Sequence, residues 1–216
     1  MNKKEYILFD LDGTLTDPGE GITNSVQYSL KKYGIEVQDK TELYKFIGPP
    51  LFDSYMKYYG FSKEKATEAV EFYREYFRDI GIFENRVYKG IPELLRKLNS
   101  KGKRIVLATS KPEEFAKRIL KHFNLQNYFY FVAGATMSET RTKKAEVISY
   151  ILEQLKIKDT QNAVMIGDRE MDINGAHALN IAAIGVLYGY GTKEELQNAK
   201  ADMIAESVEN LESILI

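Results

Sequence analysis

Cysteine is absent from this 216-residue chain. Its absence excludes disulfides, thiolate-ligated zinc and a cysteine nucleophile, and leaves oxygen and nitrogen to carry any chemistry. Histidine is scarce. His122 and His177 fall in helical stretches away from the strand ends, where packing or surface roles are expected, and this scarcity weighs against a serine-histidine hydrolase. An excess of one charge is missing too: 30 basic against 31 acidic side chains leave a formal net charge of -1, which argues against nucleic acid or another polyanion as partner. No stretch approaches the roughly 18 consecutive apolar residues of a membrane span. Lys3 and Lys4 precede an apolar run that Asp10 breaks too early for a secretory leader. The expectation is a cytoplasmic protein without a membrane or nucleic-acid partner.

What the chain does contain is alternation. Apolar runs at Tyr6–Phe9, Arg104–Ala108, Tyr128–Ala133, Ala163–Ile166 and Ile181–Val186 are interleaved with amphipathic stretches at Ile91–Ser100, Glu113–Phe123, Lys144–Leu155 and Asp172–Leu179. This pattern predicts an α/β fold, a doubly wound parallel sheet with helices on both faces and ligands at the carboxyl ends of its strands. The first two strands stand about 90 residues apart, where a crossover needs only about 10–12. The excess reads as an inserted all-α domain over 16–85, with helices near Gly21–Tyr33, Leu51–Tyr59 and Lys63–Asp79; residues 1–15 and 86–216 form the α/β core. Tyrosines and phenylalanines crowd the insert, and their helical spacing predicts a bundle core rather than a base-stacking platform. Gly189-Tyr190-Gly191 lacks a third glycine at dinucleotide-motif spacing and reads as a loop before a capping box, Thr192 to Glu195.

The stretch Tyr-Ile-Leu-Phe-Asp-Leu-Asp-Gly-Thr, from Tyr6 to Thr14, runs an apolar strand into two aspartates. Side chains two apart on a strand point the same way, so Asp10 and Asp12 converge as β structure ends, and Gly13 allows a sharp turn. Two such carboxylates repel each other unless a cation or a proton intervenes. A capped helix and an Asp-Gly turn would explain the pair alone. A second strand end, Gly167-Asp168-Arg169-Glu170-Met171-Asp172, supplies further carboxylates, and Asp168 and Asp172 at i, i+4 face one way on a helix. Together these acids predict a site for Mg2+, a hard cation that prefers oxygen. The strand Arg104–Ala108 ends in Thr109-Ser110-Lys111-Pro112-Glu113, where a hydroxyl and free helix-start amides suit a phosphate oxygen, and Ser110 with Glu113 fits a capping box. Lys143 and Lys144 precede a helix, and either could balance anionic charge.

With these four stretches in order, the chain resembles the haloacid dehalogenase superfamily of phosphatases, in the phosphoglycolate-phosphatase-like branch with a helical cap inserted after the first motif. The resemblance implies that Asp10 is the nucleophile forming an aspartyl-phosphate. Asp12 would then protonate the leaving alkoxide and later accept a proton from the hydrolytic water. It implies phosphate binding by Thr109, with Ser110, Gly13 and Thr14 as further substrate contacts. Lys144 is the implied lysine, since Lys144-Ala-Glu-Val-Ile resembles the form in which it opens its helix, with Lys143 the alternative. Magnesium would be held by the Asp10 side chain, the Asp12 backbone carbonyl and Asp168, with Asp172 ligating through water or orienting the others. The insert would act as a lid hinged near Gly13–Asp17 and Asn85–Tyr88.

The implied activity is Mg2+-dependent hydrolysis of a small phosphorylated metabolite, phosphoglycolate or a nucleoside 5'-monophosphate, by a monomer or homodimer. The alternative on the same scaffold is a phosphosugar mutase. A receiver-type signalling module would place its phosphoacceptor at a later strand end and would not need the insert. An inactive binding protein is at odds with the presence of Asp10, Asp12, Thr109, a lysine and Asp168 together.

Overall fold

In chain order the elements are β1 (Tyr6–Phe9), β2 (Thr16–Asp17), α1 (Gly19–Lys31), α2 (Leu51–Tyr59), α3 (Lys63–Tyr76), β3 (Arg86–Val87), α4 (Ile91–Ser100), β4 (Arg104–Pro112), α5 (Glu113–His122), β5 (Phe131–Ala135), α6 (Lys144–Gln154), β6 (Ala163–Gly167), α7 (Glu170–His177), β7 (Ala182–Val186), α8 (Lys193–Asn198), β8 (Met203–Ala205) and α9 (Val208–Leu215). This is a computed structural model, and it describes every residue except Asn2 and Glu139. The chain divides into two compact units, one of Met1–Asp17 with Val87–Ile216 and one of Pro18–Arg86.

The first unit is built on a six-stranded sheet in the order β5-β4-β1-β6-β7-β8, and every neighbouring pair in it is parallel. This is the doubly wound sheet predicted from the alternation of runs. Strands β1, β4 and β6 read as continuous apolar runs because both faces are covered: Ile7, Leu8, Phe9, Val106, Leu107, Val164, Met165 and Ile166 are fully buried. Strand order reverses at β1, which pairs with β4 on one side and β6 on the other. Such a reversal opens a crevice at the carboxyl ends. Register brings Phe9 opposite both Leu107 and Ile166, so the residues that follow, Asp10, Thr109 and Asp168, emerge at one edge of the sheet.

Several boundaries differ from the sequence expectation. Ser110 does not start a helix. Backbone before a proline is biased away from the α region, so Lys111 keeps β4 extended through Pro112, and α5 begins at Glu113 without a side-chain cap. Tyr128, expected to open a strand, instead closes a 3-10 turn over Gln126–Tyr128, and β5 begins only at Phe131. Strand β8 has only three residues, one of them exposed, too short to show a pattern; it exists by pairing with β7.

The second unit is helical. Helix α1 buries Ile22, Val26 and Leu30, and Ser29 Oγ donates to the Ala69 carbonyl at 2.7 Å, fastening α1 to α3. A 3-10 segment at Lys40–Phe46 and a π turn at Phe77–Gly81 were not visible in the pattern. Phe46, Tyr55, Phe61, Tyr73 and Phe77 are buried. Phe46 meets Tyr55 edge-on at 5.1 Å, and Tyr55 stacks on Phe61 at 5.9 Å. These rings form the bundle core, as their spacing predicts. Among the described residues no helix is long and apolar enough to cross a membrane.

Candidate active site

The site begins where β1 runs out. Asp10 donates its backbone N–H to the Ile166 carbonyl at 2.9 Å, so its backbone still belongs to the sheet while its side chain leaves it. The chain then turns back through Gly13, whose N–H meets the Thr16 carbonyl at 2.8 Å. Gly13 has φ +80°, and a Cβ there would collide with the Asp168 carboxylate. Only glycine meets both conditions.

Three carboxylates gather at this edge. One oxygen from each of Asp10, Asp168 and Asp172 lies within 4.8 Å of the others, and all three side chains are buried. Lys144 reaches in from the first residue of α6. Its ammonium stands 2.8 Å from Asp10 Oδ1 and 2.8 Å from Asp172 Oδ1, and it donates to the Ala108 carbonyl at 2.8 Å. Lys143, the alternative, is exposed at the N-cap of α6, its N–H held by Glu146 Oε2 at 3.2 Å. Asp172 is further fixed by the Arg169 N–H at 3.1 Å, and Asp168 accepts from the Thr14 hydroxyl at 3.4 Å and the Tyr190 N–H at 2.8 Å.

The remaining residues singled out in the sequence occupy the same edge. Asp12 is buried and pairs with Lys111, Nζ to Oδ2 2.7 Å, while its Oδ1 is buried without a hydrogen-bond partner among the described residues. Thr109 is buried, and its hydroxyl accepts the Lys111 N–H at 3.2 Å. Ser110 is half-buried. Gly13 and Thr14, expected as substrate contacts, lie against Asp168, and Thr14 is wholly buried. His177 lies elsewhere, paired with Asp202 at 3.0 Å.

Lys111 and Tyr190 carried no role in the sequence reading. The two-residue strand period that pairs Asp10 with Asp12 also pairs Thr109 with Lys111, so the signal was there. The Tyr190 N–H is a backbone group, which no side-chain pattern reveals.

Burial works against charge throughout this site. It lifts Asp168 well above the ordinary carboxylate range, with the Asp172 and Asp10 charges adding to it and the Tyr190 N–H opposing. Burial raises Asp12 as well, against the pull of Lys111, and it raises Asp172 to about 6, Lys144 opposing. Burial disfavours the Lys144 ammonium, but Asp10 and Asp172 more than offset this and hold it protonated. Four buried carboxylates against two buried ammonium groups leave a deficit of positive charge that a divalent cation would fill. Lys144→Met removes half of that compensation. It is expected to cost the metal-free protein about 3–5 kcal/mol, read as a lowered denaturant midpoint that returns in part when a divalent cation is added. An unchanged midpoint would contradict this electrostatic account.

The family model described as haloacid dehalogenase-like hydrolase matches residues 7–186. A 5'-nucleotidase from Pseudomonas aeruginosa is 48% identical over 88% of this chain and 86% of its own length. A tyrosine-protein kinase, PtkA, from Mycobacterium tuberculosis is 34% identical over 94% of this chain and 69% of its own. A crystal structure of a predicted phosphatase from Clostridium acetobutylicum superposes with a TM-score of 0.96 at 51% identity, covering 98% of this chain and 97% of that one. The chain belongs to the haloacid dehalogenase-like hydrolase family. Within it, the protein is a phosphoric monoester hydrolase acting on a small phosphorylated substrate.

Proposed function

We propose that the protein hydrolyses nucleoside 5'-monophosphates through a phosphoryl group carried on Asp10, with Mg2+ as cofactor. The observation that carries this is the Lys144 bridge. It holds Asp10 Oδ1 at 2.8 Å, fixing the carboxylate at the end of β1 so that its second oxygen is the nucleophile. That oxygen attacks phosphorus, the bond from phosphorus to the ester oxygen breaks, and Asp12 delivers its proton to the departing alkoxide. Asp12 then takes a proton from water, which attacks the same phosphorus and returns the Asp10 carboxylate with release of phosphate. Raised by burial, Asp12 can hold the proton it donates. Thr109 and Ser110 offer hydroxyls, and Lys144 and Lys111 positive charge, to the phosphoryl oxygens.

Asp10, Asp168 and Asp172, with the backbone carbonyl of Asp12, would hold the magnesium. Their all-oxygen donor set and the charge deficit suit a hard divalent cation, and the ion would neutralise charge on the phosphate. The nucleotide class is favoured over phosphoglycolate by the identity to a protein named 5'-nucleotidase. On this reading the protein works in the cytoplasm, as a monomer or homodimer.

The test is phosphate release from nucleoside 5'-monophosphates, phosphoglycolate and glucose 1-phosphate, each with Mg2+ and with chelator. The nucleotides are expected to give a kcat/KM at least about tenfold above the other two, lost on chelation, since removal of an essential metal abolishes its charge stabilisation. Isomerised sugar phosphate without phosphate release would replace this reading with the mutase.

A further inference from the structure

The loop that follows β7 reads in the sequence as a plain connection, yet it closes over the acid cluster. The Tyr190 N–H donates to Asp168 Oδ2 at 2.8 Å. Its glycine neighbours have no room for a side chain: a Cβ on Gly189 would strike the Gly13 carbonyl and Asp168, and one on Gly191 would strike the Asp168 carbonyl. The loop backbone therefore lies directly against the turn after β1 and the end of β6. At its far end the Tyr190 hydroxyl donates to Asp17 Oδ1. Asp17 closes β2, the strand that follows the same turn.

From this juxtaposition we infer that Tyr190 is a positioning residue for the metal-binding acid: its hydroxyl, anchored on Asp17, holds its own N–H against Asp168. The inference rests on the reading of Asp168 as a metal ligand. Asp168 receives hydrogen bonds at both oxygens, Thr14 at Oδ1 and Tyr190 at Oδ2, and these set the plane of its carboxylate. A carboxylate fixed in this way loses little rotational freedom when a cation arrives, and groups that orient a ligand are commonly worth 10–100-fold in metal affinity. The Tyr190 hydroxyl bonds Asp17 while its N–H bonds Asp168. It acts through the loop, whose backbone packs against Gly13 and Asp168.

The measurement is Mn2+ affinity of the full chain, followed by electron paramagnetic resonance of free Mn2+ and by calorimetry, alongside thermal unfolding without metal. Tyr190→Phe and Asp17→Ala are each expected to raise the Kd for Mn2+ about tenfold. The double variant should be no weaker than either single one, because both break one anchor. Asp17→Asn keeps an oxygen acceptor and is expected to restore affinity to within about threefold of wild type, a rescue that a charge effect alone would not produce. A lowered Tm in Tyr190→Phe with an unchanged Kd would make the contact structural and overturn the inference, as would losses that add in the double variant. Failure of the wild type itself to bind Mn2+ would remove the metal reading of the site, and this inference with it.

Discussion

Asp10→Asn is expected to lower turnover by roughly 10^3-fold or more while leaving the fold intact, as found when an enzyme loses a covalent nucleophile. The substitution is nearly isosteric, so packing around the end of β1 should survive, and its N–H to the Ile166 carbonyl does not involve the side chain. What changes is electronic. The amide is neutral and its oxygen is a poor nucleophile, and Lys144 keeps only Asp172 as a charged partner at 2.8 Å. Acid quench of the wild type during turnover should trap a phosphoryl group on the peptide spanning Asp10, detectable by mass, and the variant should trap none. Turnover within tenfold of wild type, or phosphate on another residue, would end the assignment of Asp10 as nucleophile.

Asp168→Asn should have the second-largest effect, with opposite signs in two measurements. Without metal the variant is expected to be more stable than wild type. Asp168 is wholly buried, and its charge faces Asp10 and Asp172; the amide removes that repulsion. Its carbonyl oxygen can still accept the Tyr190 N–H, and its NH2 can donate to Thr14. A gain of about 1–2 kcal/mol corresponds to roughly 2–8 °C in Tm for a chain of this size. With metal the order reverses. Wild type should gain about 2.7 kcal/mol at a hundredfold excess of cation over Kd, and the variant little or nothing. Calorimetric scans with and without Mg2+ decide the matter, and a variant that still responds to Mg2+ as wild type does would remove Asp168 from the metal site.

The same buried acids set a pH dependence for the metal-free protein. Asp168 and Asp172 have raised values in the folded state, whereas in an unfolded chain they titrate near 3.8. The folded protein thus binds more protons than the unfolded one across that interval, and its stability rises as pH falls. Metal-free Tm should climb as pH is lowered from about 8 through 6, the value Asp172 reaches. Bound cation should flatten the slope, since it replaces the protons. A metal-free Tm that fell steadily over this range would show that the acid cluster is not the dominant titrating element.

The parts of the fold and site readable in advance were those that depend on period and order. Continuous apolar runs at β1, β4 and β6 announced strands buried on both faces, and the alternation with helices announced the parallel sheet. Lys144 could be narrowed to a pair by its place before a helix, and the structure separates the two by burial: Lys144 is inside and Lys143 outside. What stayed hidden has specific causes. Strand β8 has no periodicity to show in three residues and owes its existence to β7. Ser110 looked like a cap because a hydroxyl stood three residues before Glu113, but the following Lys111-Pro112 keeps the backbone extended. The packing of Gly13 and Thr14 against Asp168 joins parts of the chain far apart in sequence and leaves no local pattern. The stretch at Tyr190 was legible as a loop, but its bond to Asp168 was not, because the donor is a peptide N–H.

The place of β1 at the middle of the sheet constrains how the protein comes into being on the ribosome. β1 has no sheet to join until β4 and then β6 have left the exit tunnel, and the contact from Thr14 to Asp168 closes a loop of 154 positions. Such long closures are slow. The acidic turn after β1 therefore stands alone until β6 has been made, so the gathering of Asp10 with Asp168 and Asp172 is a product of folding rather than its nucleus.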